Sequence, residues 1–272
     1  MLRELIIVSI AVASCLLTDD RASGATSEPA PVVKRFTADE ARQGVASDGA
    51  YFYAIDNSRI GKYRIDTGEK VAEWQGDAEA FPHINSCTVI GTELACATSN
   101  YPAVPQTSLV EFFSLSPLQH LRSVALADMP GSLTAMDRHD GHWWGVFANY
   151  DTKGSPAGKD HRDTYLVKLD DAFQPLKAWT FPEDVLARFA PSSCSGMAWT
   201  DAGALLASGH DKPEVYVLSL PEAGTVLRHA ATIPVISNGQ AIDVDPVEAD
   251  LLWSIDRATK TVIASTIAPQ DF

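Results

Sequence analysis

Positive charge is scarce in this chain. Against 35 aspartates and glutamates it carries 21 lysines and arginines, a formal net charge of −14. That balance leaves no basic footprint for nucleic acid or an anionic membrane surface. Cysteine is also scarce, with four in 272 residues, and no Cys-x-x-Cys or Cys/His spacing makes a structural zinc site. No GxSxG elbow and no HExxH stretch occurs, so serine-nucleophile and zincin chemistry have no motif to stand on. Long apolar runs are missing too. Leu5 to Ser14, behind Arg3, is too short to cross a bilayer, and no other segment approaches transmembrane length.

That short run has the length of a signal-peptide core, and Ser23-Gly24-Ala25 offers small residues for cleavage. Residues 1–25 therefore read as an export signal. The rival reading is a lipobox, Val12-Ala13-Ser14-Cys15, which sets a lipid anchor on Cys15, although Leu16 and Leu17 prolong the apolar run beyond it. Both readings send the chain out of the cytoplasm, to the periplasm or beyond. Residues 26–31 form a Ser/Pro/Ala linker, and residues 32–272 form one domain. Export permits a disulfide. If Gly91-Thr92 is a two-residue hairpin turn, counting outward sets Cys87 directly opposite Cys96. A bridge and a pair of small buried thiols both fit that register. Cys194 then has no partner in the mature chain.

What the chain does have is repetition, with sixteen prolines and seventeen glycines to serve its turns. Five times a small polar residue opens an apolar strand: Gln43-Gly44-Val45, Asn85-Ser86-Cys87, Ser132-Leu133-Thr134, Ser195-Gly196-Met197 and Gln240-Ala241-Ile242. Three further strand-like segments follow each opening, except the last, which has two. Four-stranded units at a period of roughly 40 to 50 residues predict an all-β, five-bladed β-propeller. Val32 to Phe36 reads as a stray strand, and it supplies the strand that the last unit lacks, closing the ring. In such a ring the first-to-second and third-to-fourth turns share a bottom face and are tight here. The long connections, Tyr101 to Gln106, Asp151 to Asp163 and Pro182 to Ser192, share the top face. The last of them is expected to hold a short helix after Pro182.

Long loops on a rigid scaffold carry binding residues, so the top face is the expected functional face. It gathers the ring Gln43, Asn85, Ser132, Ser195 and Gln240, with Asn57, Asn100, Tyr101, Asn149, His161 and Arg162 beside it and Asp256-Arg257 at the end of a second strand. Amides, hydroxyls and imidazoles converging on a channel mouth suit a small polar molecule or a peptide terminus. The same groups would also satisfy one another and channel water in a merely structural role. The candidate acid and base groups are His83, His210 and Asp211. A divalent metal is a further option, held by His83, His161 or His210 with Asp151, Asp160 or Asp211, though no local spacing motif links them. His139-Asp140-Gly141-His142 falls on a bottom turn, where Asp-Gly is turn chemistry.

Two stretches resemble the plant-type glutaminyl cyclases. Gln43-Gly44-Val45 with Asp48-Gly49 and Thr67-Gly68 is similar to that family's first blade. Ser195-Gly196-Met197-Ala198-Trp199, Leu206 to Gly209 and Lys212 to Leu218 are similar to its fourth. The resemblance implies a five-bladed propeller closed by an N-terminal strand, and a role for Gln43 at the site. The family opens its second blade with a catalytic glutamate; here His83-Ile84-Asn85 stands in its place. Ser99-Asn100-Tyr101-Pro102 and Gly158 to Arg162 also resemble a group of exported propeller proteins, from which no mechanism carries over. The expectation is a monomeric, exported enzyme acting on a small polar substrate or peptide terminus, cyclase-like in its named version. A metal-assisted lactonase or cycloisomerase, or a non-catalytic binding module, are the alternatives.

Overall fold

Alternation along each strand decides the layout, because successive side chains point to opposite faces. In the computed structural model, which describes residues 28–127 and 129–267, an outer strand β1 (Val32–Thr37) precedes the first blade. That blade is β2 (Gly44–Ser47), β3 (Tyr51–Asp56), β4 (Arg59–Arg64) and β5 (Lys70–Gln75). The second is β6 (Ile84–Ile90), β7 (Glu93–Ser99), β8 (Ser108–Leu115) and β9 (Leu118–Leu126). The third is β10 (Ser132–His139), β11 (His142–Ala148), β12 (Tyr165–Leu169) and β13 (Pro175–Thr180). A helix, α1 (Glu183–Phe189), leads to the fourth: β14 (Gly196–Trp199), β15 (Leu205–Ser208), β16 (Glu214–Ser219) and β17 (Arg228–Pro234). The fifth holds β18 (Asp243–Val244), β19 (Leu251–Asp256) and β20 (Thr261–Thr266), and β1 pairs with β20 as its outermost strand. Five antiparallel four-stranded sheets, closed by an N-terminal strand, make the five-bladed propeller. The export signal and lipobox positions lie outside the described residues.

Both faces of every blade are buried, and the core is split into five inter-blade layers. On β15, Leu205 and Ala207 pack toward the third blade, while Leu206 packs toward the fifth. On β3, Phe52 and Ala54 face the fifth blade, whereas Tyr53 and Ile55 face the second. Trp143 and Trp144 follow the same rule, one indole in each neighbouring layer. A one-residue register slip would exchange these sets between layers, so register is strongly specified. Turn chemistry fixes it locally: Asp140 (φ 49°) and Gly141 (φ 72°) give the β10–β11 hairpin the primed geometry that matches strand twist. In the β6–β7 hairpin Ile90 pairs with Glu93, Cys87 stands opposite Cys96, and the two are bridged. Cys194 is buried and unpaired, and burial pushes its thiol up to about 12, so it is no nucleophile at neutral pH. Among the described residues no helix is long and apolar enough to cross a membrane.

Carboxyl groups bind blades together where the inner strands end. Asp137 on β10 accepts from the backbone N–H of Trp199 in the next blade at 2.8 Å and from the Thr88 hydroxyl of the previous one at 3.2 Å. Asp243 on β18 accepts from Ser47 N of the first blade at 2.8 Å, and Asp245 accepts from the Ser47 hydroxyl at 2.9 Å. Burial raises Asp137 to about 6. Burial, then the charge of Asp137, hold Asp243 well above the ordinary carboxylate range. These groups border a hollow of about 200 Å³ at the bottom of the channel.

Candidate functional site

At the other end of the channel, the strand openings enclose a polar cavity of about 250 Å³. Gln43, Asn85, Thr134, Ser195 and Gln240 line it from the five inner strands or the residues just before them. His83, Tyr101, Tyr150, Ser192, His210 and Arg257 complete it from the top connections. Of the ring expected from sequence, Ser132 is not in the lining: it is fully buried, and Thr134 stands in its place. The reason is a bulge. Leu133 pairs with Phe147 and Ala135 with Val146, so Thr134 is an extra residue in β10. β6 does the same at Asn85, between the Ile84–Thr98 and Ser86–Ala97 pairs.

Close approach of the inner strands explains the Ser-Gly pair that opens β14. A Cβ added to Gly196 would lie 2.5 Å from the Ser208 hydroxyl and 2.7 Å from both the Gln240 carbonyl and the Ala241 Cα. Gln240 itself has φ 72°, an uncommon conformation for a residue with a side chain. It is held by Ser208, whose hydroxyl donates to the Gln240 carbonyl at 2.6 Å, and by its own N–H, which donates to Gly209 O at 3.0 Å.

His83 is the best-defined chemical group in the cavity. Asn57 Oδ1 accepts from Gln43 Nε2 at 2.6 Å and meets His83 Nδ1 at 2.9 Å. An oxygen can only accept, so His83 carries its proton on Nδ1 and keeps the Nε2 lone pair free. Burial, then the positive charge of Arg257 and the His210 ring, depress its pKa to about 4. At neutral pH it is an uncharged imidazole with a fixed tautomer. Its ring lies 5.5 Å from that of Tyr101, which is 4.8 Å from that of Tyr150, so one wall is aromatic. Burial raises both phenols. Across the mouth, His210 Nδ1 is 2.7 Å from the Asp211 carboxylate. Burial raises Asp211, but hydrogen bonds from His210 and Ser192 outweigh it and leave the carboxyl below its ordinary value. Asp211 lines an adjoining cleft of about 400 Å³ that shares His210, Gln240 and Arg257 with the cavity.

Other expected residues are engaged by the scaffold, Asn85 on the cavity wall and the rest elsewhere on the top face. Asn85 donates to Leu133 O at 2.8 Å and to the Ser99 hydroxyl at 3.2 Å, tying the second blade to the third. Asn100 closes its own loop, donating to Pro105 O and accepting from Thr107 N, both at 2.9 Å. Asn149 is buried, its amide donating to Pro130 O and Asp163 O at 2.9 Å each. These donors are already occupied by the scaffold. His161 and Arg162 lie outside the cavity lining, in the long loop, where His161 Nδ1 meets Asp151 Oδ1 at 2.6 Å and Arg162 pairs with Asp160. Asp151, Asp160 and His161 are the one group of three possible metal ligands among the described residues. Arg162 holds the Asp160 carboxyl far below its usual range, so an arginine already neutralises one ligand. Thr134 and Ser192 were not singled out by sequence, nor was Arg257 beyond its place at a strand end.

No family model matches the chain, and no curated protein does either. Solved structures similar to it include hydrazine synthase of Kuenenia stuttgartiensis, at 11% identity over 82% of this chain and 83% of that one, with a TM-score of 0.49. U3-55K is similar at 9% identity over 88% of this chain and 100% of that one, TM-score 0.49. The WD40 repeats of RRP9 are similar at 8% identity over 89% and 99% of the two chains, TM-score 0.48. Likenesses this distant carry no functional argument, and the five-bladed fold stands on the strand pairing of this chain itself.

Proposed function

We propose that this protein is an exported enzyme whose top-face cavity takes a small polar molecule or a peptide terminus, with His83 moving a proton. The observation that carries the reading is His83 itself: a neutral imidazole, its Nδ1–H committed to Asn57, on a cavity rich in amides. A base must reach the proton it takes, and a free lone pair at neutral pH is the state that general-base catalysis needs. His210, backed by Asp211 across the mouth, is the candidate partner for returning the proton. The Cys87–Cys96 bridge supports export, because disulfides persist in oxidising compartments.

The cyclase-like version of this reading has a specific chemical demand. An N-terminal amine attacks the side-chain amide carbon of its own glutamine, a new C–N bond forms, and ammonia leaves. One proton must pass from the attacking nitrogen to the leaving one. Asn85 stands where the family keeps its glutamate and cannot move that proton. His83, two residues earlier and on the same cavity, is the group able to take over. The test is a panel of glutaminyl peptides, unmodified dipeptides and lactones, with His83→Ala and His83→Gln as variants. Turnover of at least one class is expected, falling by about 10²–10⁴-fold in both variants while the circular dichroism stays native. Turnover unchanged by either variant, or no product from any class with the wild type, would reject the catalytic role.

A further inference from the structure

We infer that the top-face cavity is a carboxylate site in which Arg257 holds the anion. The inference rests on the cavity being a ligand site, as proposed above, and names what that ligand must carry. Arg257 sits in the turn between β19 and β20 and is exposed. Other top-face and neighbouring arginines are spent: Arg59 on Asp56, Arg162 on Asp160, Arg188 on Glu214. Arg257 makes no ion pair among the described residues. Its neighbour Asp256 is committed to Ala258 N at 3.0 Å and the Thr259 hydroxyl at 2.7 Å. In a protein of net charge −14, an unmatched guanidinium on a cavity wall is a notable asymmetry.

Position adds to this. Arg257 belongs to the lining of both the channel cavity and the adjoining cleft, so it stands where the two hollows meet. A planar guanidinium presents a fork of donors matched to a carboxylate. The surroundings select a monoanion. One cation serves the site, the other polar groups lining the cavity are amides, hydroxyls and imidazoles, and Asp211 and Asp256 border the cleft, so a phosphate dianion would be repelled. Volume sets the scale: about 250 Å³ lies below the roughly 300–1,000 Å³ of drug-sized sites. The part bound in the channel is therefore of amino-acid size, with the cleft open to the remainder. A peptide C-terminus and the free carboxylate of a small metabolite share this chemistry.

Calorimetric titration of the full chain with two acid–amide pairs tests it: alanyl-alanine against its C-terminal amide, and the monoanion succinamate against succinamide. At least one acid is expected to bind about ten- to a hundredfold more tightly than its amide, the range of a charge-assisted hydrogen bond. Arg257→Gln should erase that difference. Arg35→Gln, the same charge change on the outermost strand, should preserve it. Preference for the peptide acid alone assigns a peptide terminus; preference for both assigns a free carboxylate. Equal binding of acids and amides, a preference that survives Arg257→Gln, or tighter binding of inorganic phosphate would overturn the assignment and leave the cavity standing. Binding of neither acids nor amides by the wild type would reject the cavity as a ligand site and this inference with it.

Discussion

Asp243 and His83 are both perturbed by burial, and they pull stability in opposite directions with pH. Folding raises the Asp243 carboxyl above its ordinary value near 3.8. The stabilisation it contributes is therefore full below that value and is lost as pH rises through the folded one. His83 is depressed from 6.5 to about 4, so its contribution is complete above 6.5 and is lost as pH falls toward 4. Between those limits the two slopes oppose, and the wild-type curve isolates neither. Asp243→Asn separates them. The unfolding free energy of the variant, measured by urea denaturation and taken relative to wild type, should climb as pH rises above 4, by at most about 1.4 kcal/mol per unit. Parallel curves would contradict the raised carboxyl, whatever the variant's absolute stability, which also reflects the altered bond to Ser47 N.

Inner strands are the elements that position the cavity, and their spacing leaves no room at Gly196. Two of the atoms that a Cβ would meet there are backbone, the Gln240 carbonyl and the Ala241 Cα. Backbone cannot turn aside as a flexible side chain can. Gly196→Ala should therefore cost about 1–3 kcal/mol, read as a lower urea midpoint at unchanged slope. An unchanged midpoint would show that the fourth and fifth blades do not approach this closely. At this scale the sequence was most legible where signals are local. The Gly91-Thr92 turn and alternation fixed the pairing of Cys87 with Cys96, and Pro182-Glu183-Asp184 announced α1. It failed where one residue too many enters a strand. Nothing local distinguishes Thr134, which the bulge turns into the cavity, from Ser132, which it leaves buried. Asn149 failed for a related reason: its amide donors are used up by Pro130 and Asp163, partners distant enough in sequence that only the fold brings them together. Arg257 was visible at a strand end, but its lack of an ion-pair partner among the described residues is a property of three-dimensional neighbours.

Closure of the ring is the claim that belongs to the whole molecule. β1 pairs with β20 from Val32–Ser265 to Thr37–Thr261, joining the first described strand of the chain to the last. Without it the fifth blade would expose an unpaired edge along β20. Phe36 would also be lost from the layer it shares with Phe52 and Trp253. Removing residues 28–37 should abolish the single cooperative unfolding transition and promote association through the exposed edge, as read by calorimetry and light scattering. A truncated chain that stays monomeric with the full chain's melting temperature would contradict closure. A closed ring matters to the site because the cavity draws on all five blades, from Gln43 in the first to Gln240 and Arg257 in the fifth. His83 reports on that convergence, since burial, Arg257 from the fifth blade and His210 from the fourth together set its protonation. The most direct measurement is therefore the imidazole nitrogen spectrum of His83 across acid and neutral pH. A proton fixed on Nδ1 and titration near 4 is the result this account predicts. Titration near the ordinary 6.5, or a proton resting on Nε2, would contradict it.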